Sequence, residues 1–177
     1  KKALAAYKRA TLPRSYWDWG EHIEANSTGA FPYTPATNLL FGLNEAILML
    51  KEEGLENVFA RHKRYAEATR LAVQTWGLEV LCENENDFSN TLTAVLLPDG
   101  HNADEFRSIV LDNFNMSLGN GLSRLAGKVF RIGHLGDFNE LMLIATLGGI
   151  EMGLSKSSVP HQVGGTQAAM QFLKQNS

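Results

Sequence analysis

The chain has 177 residues, of which 44% are hydrophobic, so it can bury a sizeable core. Its 16 lysines and arginines against 19 aspartates and glutamates give a net charge of -3, and no basic stripe with interleaved aromatics is present, which disfavours nucleic acid as a partner. No run approaches the roughly 18 apolar residues of a membrane span. Cys82 is the only cysteine, which excludes an internal disulfide and a four-thiolate metal site. We therefore expect a soluble protein of a reducing compartment, the cytoplasm.

The first residues, "KKALAAYKRA", read as a helix with a polar face, and the chain lacks an initiating methionine. We expect a missing part to precede it. The next stretch, residues 11 to 37, carries five aromatic residues among prolines and glycines and shows no helical period. So long an irregular segment is uncommon unless it is functional or packs on something else. Two interpretations remain open, a linker that covers a core and a functional segment.

Two helices are predicted next. Thr37 or Asn38 can cap the first, and Gly54 can end it. Its apolar stripe comprises Leu39, Leu40, Leu43, Ile47 and Leu50. The second runs from about Leu55 to Trp76, and His62 on its inward stripe is typical of a packed histidine rather than a ligand.

Beyond the second helix the hydrophobic period changes to that of strands. Residues 78 to 82 and 91 to 98 are predicted strands, followed by a helix capped by Asn102. "MSLGN" and "KVFRIGH" supply two more strands. Asp137 and Glu140 are then predicted to form the cap of a helix that runs to about Leu154. This order predicts an α+β fold with a mainly antiparallel four-stranded sheet and helices on one face. The tail from 161 to 177 is expected to be either a docking arm or a frayed end.

Arg131 is a charged residue within an apolar strand. Strand alternation places Phe130 and Ile132 on the core face, and Val129, Arg131 and Gly133 on the opposite face. Gly133 leaves room beside the guanidinium, whose planar fork suits bidentate binding of a carboxylate. The alternative is an exposed arginine in an ordinary surface ion pair, and the residues alone leave both open.

Motifs for other chemistries are weak or missing. Gly119 and Gly121 begin a G-x-G pattern, but the third glycine and the strand-loop-helix context of a nucleotide site are absent, so a flexible turn is expected. There is no G-x-S-x-G or H-E-x-x-H, and no histidine pair has metal-ligand spacing. The residues by themselves therefore predict an α+β domain with an unexplained arginine and no metal.

Four stretches carry a family resemblance: "SYWDW", "FPYTPATNLLFGLNEA", "GLENVFARH" and, most specifically, "GKVFRIGHLGDFNE". With them the chain resembles the C-terminal half of class V aminotransferases of the serine-glyoxylate type, which are fold type I enzymes that use pyridoxal 5'-phosphate (PLP). The resemblance implies that residues 1 to 50 are the end of the large PLP-binding domain and the crossover from it. Residues 51 to 160 would be the C-terminal α+β small domain, and 161 to 177 its tail.

The same resemblance implies roles for individual residues. Arg131 would bind the substrate carboxylate, and Thr34 would reach across a homodimer interface to the PLP phosphate of the partner subunit, with the aromatic Tyr33 or Phe31 nearby. The lysine that forms the Schiff base would lie shortly before Lys1, so the chain would contain no catalytic residue. We accordingly expect the isolated chain not to transaminate.

The reaction implied for the intact enzyme moves an amino group from serine, or a similar small amino acid, to glyoxylate, giving glycine and hydroxypyruvate. Three alternatives remain: alanine-glyoxylate transfer, a lyase similar to cysteine desulfurases, and a non-catalytic folding or dimerisation domain. Cys82 speaks against desulfurisation because we expect it within a strand. The sequence does not fix the amino donor.

Overall fold

In a computed structural model, which describes residues 1 to 176, the chain forms two compact units. The first comprises Lys1–Glu52 and the second begins at Glu53. The first contains helices α1 (Lys2–Tyr7) and α2 (Trp19–Asn26) and nearly all of α3 (Thr37–Glu53).

Helix α2 lies in the segment for which no helix was predicted. Asp18 caps it, since its Oδ1 accepts hydrogen bonds from the backbone N–H groups of Gly20 (2.8 Å) and Glu21 (3.2 Å). The helix has only eight residues, about two turns, which is too short for an apolar period to repeat in the sequence. The prediction of an irregular segment was therefore wrong over these residues.

The second unit begins with α4 (Leu55–Thr75) and contains a four-stranded sheet. The remaining elements are β1 (Glu79–Val80), β2 (Leu92–Leu96), α5 (Ala103–Phe114), β3 (Gly119–Asn120), β4 (Val129–Gly133), α6 (Glu140–Lys156) and α7 (Gly165–Gln175). The strand order is β1-β2-β4-β3, and every neighbouring pair is antiparallel. The predicted α+β fold with a four-stranded antiparallel sheet is confirmed.

The core lies between one face of the sheet and the helices. Phe130 and Ile132 of β4 and Val95 of β2 are fully buried there, as is Trp76 just after α4. The predicted inward stripe of α4, including His62, is confirmed as buried.

Helix α7, in the tail, packs against α4 and α6 and buries Ala169 and Leu173. A carboxylate of α6 holds its N-terminus: Glu151 accepts hydrogen bonds from the backbone N–H groups of Gly164 (2.5 Å) and Thr166 (2.8 Å). Burial raises the pKa of Glu151, but Thr166 and Gly164 outweigh it and lower the pKa to about 2. Of the two alternatives for the tail, the structure therefore favours a docking arm, which packs on α4 and α6, over a frayed end.

Two local predictions were wrong. Asp137 does not cap α6; Asn139 does, because its Oδ1 accepts a hydrogen bond from the backbone N–H of Met142 at 2.9 Å. Cys82 lies beyond the end of β1 rather than in a strand, half-buried, and its thiol faces the carbonyl oxygen of Asn84 at 3.5 Å. The argument against desulfurisation that relied on its position in a strand therefore no longer holds.

Candidate functional site

Arg131 lies in β4, a strand with neighbours on both sides. Its backbone partners across the sheet are Ala94 on β2 and Gly119 on β3. Both are small, so the side chain of Arg131 is flanked by little more than backbone on the sheet face that points away from the core. The sheet thus presents one guanidinium between two small residues.

The guanidinium of Arg131 is partly sealed. The side chain as a whole is half-buried, yet its Nε is inaccessible to solvent and has no hydrogen-bond partner. In the part of the chain that the structure describes, Arg131 also makes no ion pair. The alternative of an ordinary surface ion pair is therefore not what the structure shows.

The face of β4 that points away from the core is less exposed to solvent than strand alternation predicts. Val129, expected beside Arg131 on that face, is only 1% exposed. The loop after β3 covers it, since a Cβ added at Gly121 would lie 3.0 Å from a Val129 methyl carbon. Gly133, at the other end of the strand, is exposed, and a Cβ there would meet no atom within 4 Å. On this face of β4, Arg131 therefore lies between the covered Val129 and the solvent-exposed Gly133.

A buried histidine fixes the chain directly after β4. His134 is fully buried; its Nδ1–H donates to the carbonyl oxygen of Asn90 (3.1 Å), and its Nε2 accepts from the hydroxyl of Thr93 (3.0 Å). Burial lowers the pKa of His134 to about 4, with Arg70 and His62 acting in the same direction, so the ring is neutral at physiological pH. The neutral imidazole ties the end of β4 to β2.

Helix α4 holds the loop that follows. Arg61 donates to the carbonyl oxygens of Gly136 (3.0 Å) and Phe138 (3.1 Å), and His62 Nε2 accepts from the backbone N–H of Gly136 (3.1 Å). Arg61 also forms a bidentate pair with Glu53, at 2.6 and 2.7 Å, which holds the pKa of that carboxyl below its ordinary value. The strand that carries Arg131 thus leads into an anchored turn rather than a loose one.

Thr34 and Tyr33 lie in the first unit, whereas Arg131 lies in the second. Thr34 is exposed, and its hydroxyl has no hydrogen-bond partner among the described residues. Tyr33 is 38% exposed, and its hydroxyl is engaged with Ser15 and, at 3.5 Å, with Glu21. Of the two, only Thr34 presents a free hydroxyl.

Arg131 lies outside the cavity that is found beside β2. A cavity of about 210 Å³ runs along β2 and the turn before it, but Arg131 does not contribute to its lining. Among residues 1 to 176, no group of three or more His, Cys, Asp and Glu side chains is arranged to hold a metal ion. In that same range, none of the helices combines the length and apolar character that crossing a membrane requires.

Sequence reasoning missed three residues of this arrangement. Gly119 was predicted within a short strand and the turn that follows it, with no role beside Arg131. Its contact with Arg131 depends on the pairing of β3 with β4, for which the sequence offers no local sign. His134 and Thr93 meet across β2 and β4 and are 41 positions apart. The one signal available in the sequence was that Thr93 and His134 are polar residues at positions of their predicted strands that point towards the core.

Comparisons with known proteins agree with the resemblance of the motifs. No family model matches the chain. It is 47% identical over 166 residues to a serine-glyoxylate aminotransferase of Methylorubrum extorquens, an alignment that covers 93% of this chain and 41% of that protein. To a serine-glyoxylate aminotransferase of Arabidopsis thaliana it is 44% identical over 175 residues, covering 98% of this chain and 44% of the relative.

A solved structure shares the fold. The ureidoglycine-glyoxylate aminotransferase of Bacillus subtilis superimposes with a TM-score of 0.86 at 25% sequence identity, over 98% of this chain and 45% of that one. The chain thus spans less than half the length of the relatives that it matches.

Proposed function

We propose that this chain, a homologue of serine-glyoxylate aminotransferases, forms the C-terminal part of such a class V enzyme, with Arg131 as the residue that binds the substrate carboxylate. The enzyme would move an amino group from serine, or a similar small amino acid, to glyoxylate, giving hydroxypyruvate and glycine. The observation that carries this proposal is a half-buried guanidinium that makes no ion pair among residues 1 to 176.

Arg131 suits both half-reactions for one reason. Amino acid and keto acid substrates share an α-carboxylate, so one fixed cation can orient every substrate in the same way. A guanidinium gives two parallel charge-assisted hydrogen bonds to a carboxylate, which fix direction as well as position. Its partners across the sheet, Ala94 and Gly119, carry no large side chain that would cover the far end of the guanidinium.

PLP, when bound, would supply an electron sink for carbanion chemistry. The residue of this chain that fits it is Thr34, whose exposed, unengaged hydroxyl can donate to a phosphate; we place this contact on the cofactor of the partner subunit. Tyr33 fits less well because Ser15 and Glu21 already occupy its hydroxyl. The Schiff-base lysine would lie in the part of the enzyme before Lys1.

The exposed apolar side chains of α3 support the homodimer and the division into domains that we propose. None of the residues of this helix is buried, and even its large apolar side chains face solvent: Leu39 is 75% exposed and Phe41 is 76% exposed. Such a surface is expected to be covered, either by the remaining length of the enzyme or by a second subunit. We assign residues 1 to 50 to the end of the large domain and residues 51 to 160 to the small domain. We place the enzyme in the cytoplasm.

The test uses Arg131→Ala in the full-length enzyme that contains this chain. Removing one partner of a buried charge pair typically costs roughly 2–5 kcal/mol, so the KM for both L-serine and glyoxylate should rise about 30-fold or more. The absorbance of bound PLP should be unchanged, since this chain's arginine does not hold the cofactor. Arg124→Ala, at an exposed arginine of the neighbouring loop, is the matched control. Unchanged KM values in Arg131→Ala would contradict the proposal.

The amino donor is tested separately, by comparing L-serine, L-alanine and L-cysteine as substrates of the same full-length enzyme. We expect transfer to glyoxylate with serine preferred. Predominant transfer from alanine would identify the alanine-glyoxylate alternative, and release of sulfide from cysteine the lyase alternative. The complete absence of all three activities, with no PLP bound, would favour a non-catalytic domain.

A further inference from the structure

We propose that Gly119 is the positioning residue of Arg131: the missing side chain at position 119 lets the arginine lie against β3, which seals Nε and leaves only Nη1 and Nη2 to bind a carboxylate end-on. The inference rests on the proposed function, because it describes how the same arginine is presented to its substrate.

The contact between the two residues is close. Gly119 and Arg131 are paired across β3 and β4. A Cβ added to Gly119 would lie 3.0 Å from Arg131 Cβ and 3.1 Å from its Nε, and 3.5 Å from its carbonyl oxygen. Carbon atoms in ordinary contact are about 3.5–4.0 Å apart, so any side chain at 119 would push the arginine aside. Glycine is therefore required here by the path of another side chain, since the backbone of Gly119 is not in the left-handed region.

The direction of the displacement follows from the surroundings. Gly133, two residues along the same face of β4, borders open space. Val129, two residues in the other direction, is covered by the loop after β3. A side chain at position 119 would thus move Arg131 away from β3 and towards Gly133, which would change the direction in which the guanidinium points.

The seal on Nε restricts how a carboxylate can bind. A guanidinium can offer either its two terminal nitrogens, end-on, or Nε with one terminal nitrogen, side-on. Nε of Arg131 is inaccessible and without a partner, so the side-on arrangement is closed. The carboxylate must lie in line with the far end of the guanidinium, and this fixes the direction in which the rest of the substrate extends.

The kinetic test compares Gly119→Ala with Gly148→Ala in the full-length enzyme. At Gly148, in α6, an added Cβ would meet only a methyl of Thr166 at 3.9 Å, so this control should leave KM unchanged. Alanine at 119 forces the Arg131 side chain to move and should weaken one of its charge-assisted hydrogen bonds to the carboxylate. The KM for serine and glyoxylate should therefore rise about tenfold, with kcat changed less than about twofold.

A double-mutant cycle separates positioning from damage to the sheet. If Gly119 acts through Arg131, adding Gly119→Ala to Arg131→Ala should raise KM no further. An equal penalty in both backgrounds would overturn the inference, and so would an unchanged KM in Gly119→Ala when Arg131→Ala alone is impaired. If Arg131→Ala itself has no effect, the proposed function fails instead.

A second measurement needs no activity. In the 177-residue chain labelled with ¹⁵N-arginine, the Nε–H of Arg131 should exchange with water at least about tenfold more slowly than that of the exposed Arg124, and Gly119→Ala should remove most of this protection. Equal exchange rates for the two arginines in the unmodified chain would overturn the inference.

Discussion

The stability of the second unit should depend on the neutral state of His134. Its imidazole is fully buried between Asn90 and Thr93, and its folded-state pKa is about 4 against 6.5 for an unperturbed histidine. The unfolded chain therefore binds more protons between these two values, so stability rises with pH in that window and is lost as pH falls from 6.5 towards 4. At 1.36 kcal/mol per pH unit, lowering the pH from 6.5 to about 5 should remove roughly 2 kcal/mol of unfolding free energy.

The test is urea denaturation of the 177-residue chain and of His134→Asn at about pH 7.5, 6 and 5, followed by circular dichroism. Asparagine can still donate to the carbonyl of Asn90 but carries no titrating group. We expect the variant to be less stable at pH 7.5 by roughly 1–3 kcal/mol. The difference should then shrink by about 2 kcal/mol at pH 5, because only the unmodified chain loses stability through position 134.

His101→Asn provides the matched control. His101 is half-buried, and its side chain makes no hydrogen bond among the described residues. Its pH profile should run parallel to that of the unmodified chain. If the profiles of His134→Asn and the unmodified chain are parallel as well, the ring of His134 does not stay neutral in the fold, and the reasoning is refuted.

Two further changes test the packing of α6. Glu151→Gln should lower the unfolding free energy at pH 7 by about 1–2 kcal/mol, since a carboxylate holds the N-terminus of α7. The pKa of Glu151 is lowered to about 2, so the gap should close as pH falls from 4.5 towards 2; a constant gap in urea titrations would contradict this. Gly153→Ala should lower Tm, because its Cβ would lie 2.5 Å from a Val110 methyl and overpacking costs about 1–3 kcal/mol. Gly148→Ala should be neutral or gain up to about 1 kcal/mol, and equal Tm changes in both would refute the packing argument.

The predictions that succeeded were those with a repeated signal. Helix α4 was placed within one residue at its C-terminus, because 21 residues of 3.6-residue periodicity lie between two glycines with positive φ, Gly54 and Gly77. The four strands occur along the chain in the expected order, two before helix α5 and two after it. Helix α2 was missed for the opposite reason, since eight residues make only about two turns and a period hardly repeats.

Only part of the candidate site could be predicted from the sequence. Motif resemblance pointed to Arg131, and alternation correctly separated it from Phe130 and Ile132. Alternation fails for Val129, because what covers a sheet face is decided by a loop that folds back, which lies outside any local pattern. The contact of Gly119 with Arg131 likewise arises only once β3 pairs with β4.

Arg131 also acts as a marker of strand alignment. Its two neighbours in the chain, Phe130 and Ile132, are fully buried, so an insertion or deletion of one residue within β4 would turn the cation into the core and expose an aromatic ring. Burying an unpaired cation is far more costly than exposing one hydrocarbon side chain. Every one-residue slip of β4 is thereby penalised. Differences in chain length between homologues are therefore expected in the loop between Asn120 and Val129 rather than in the strand.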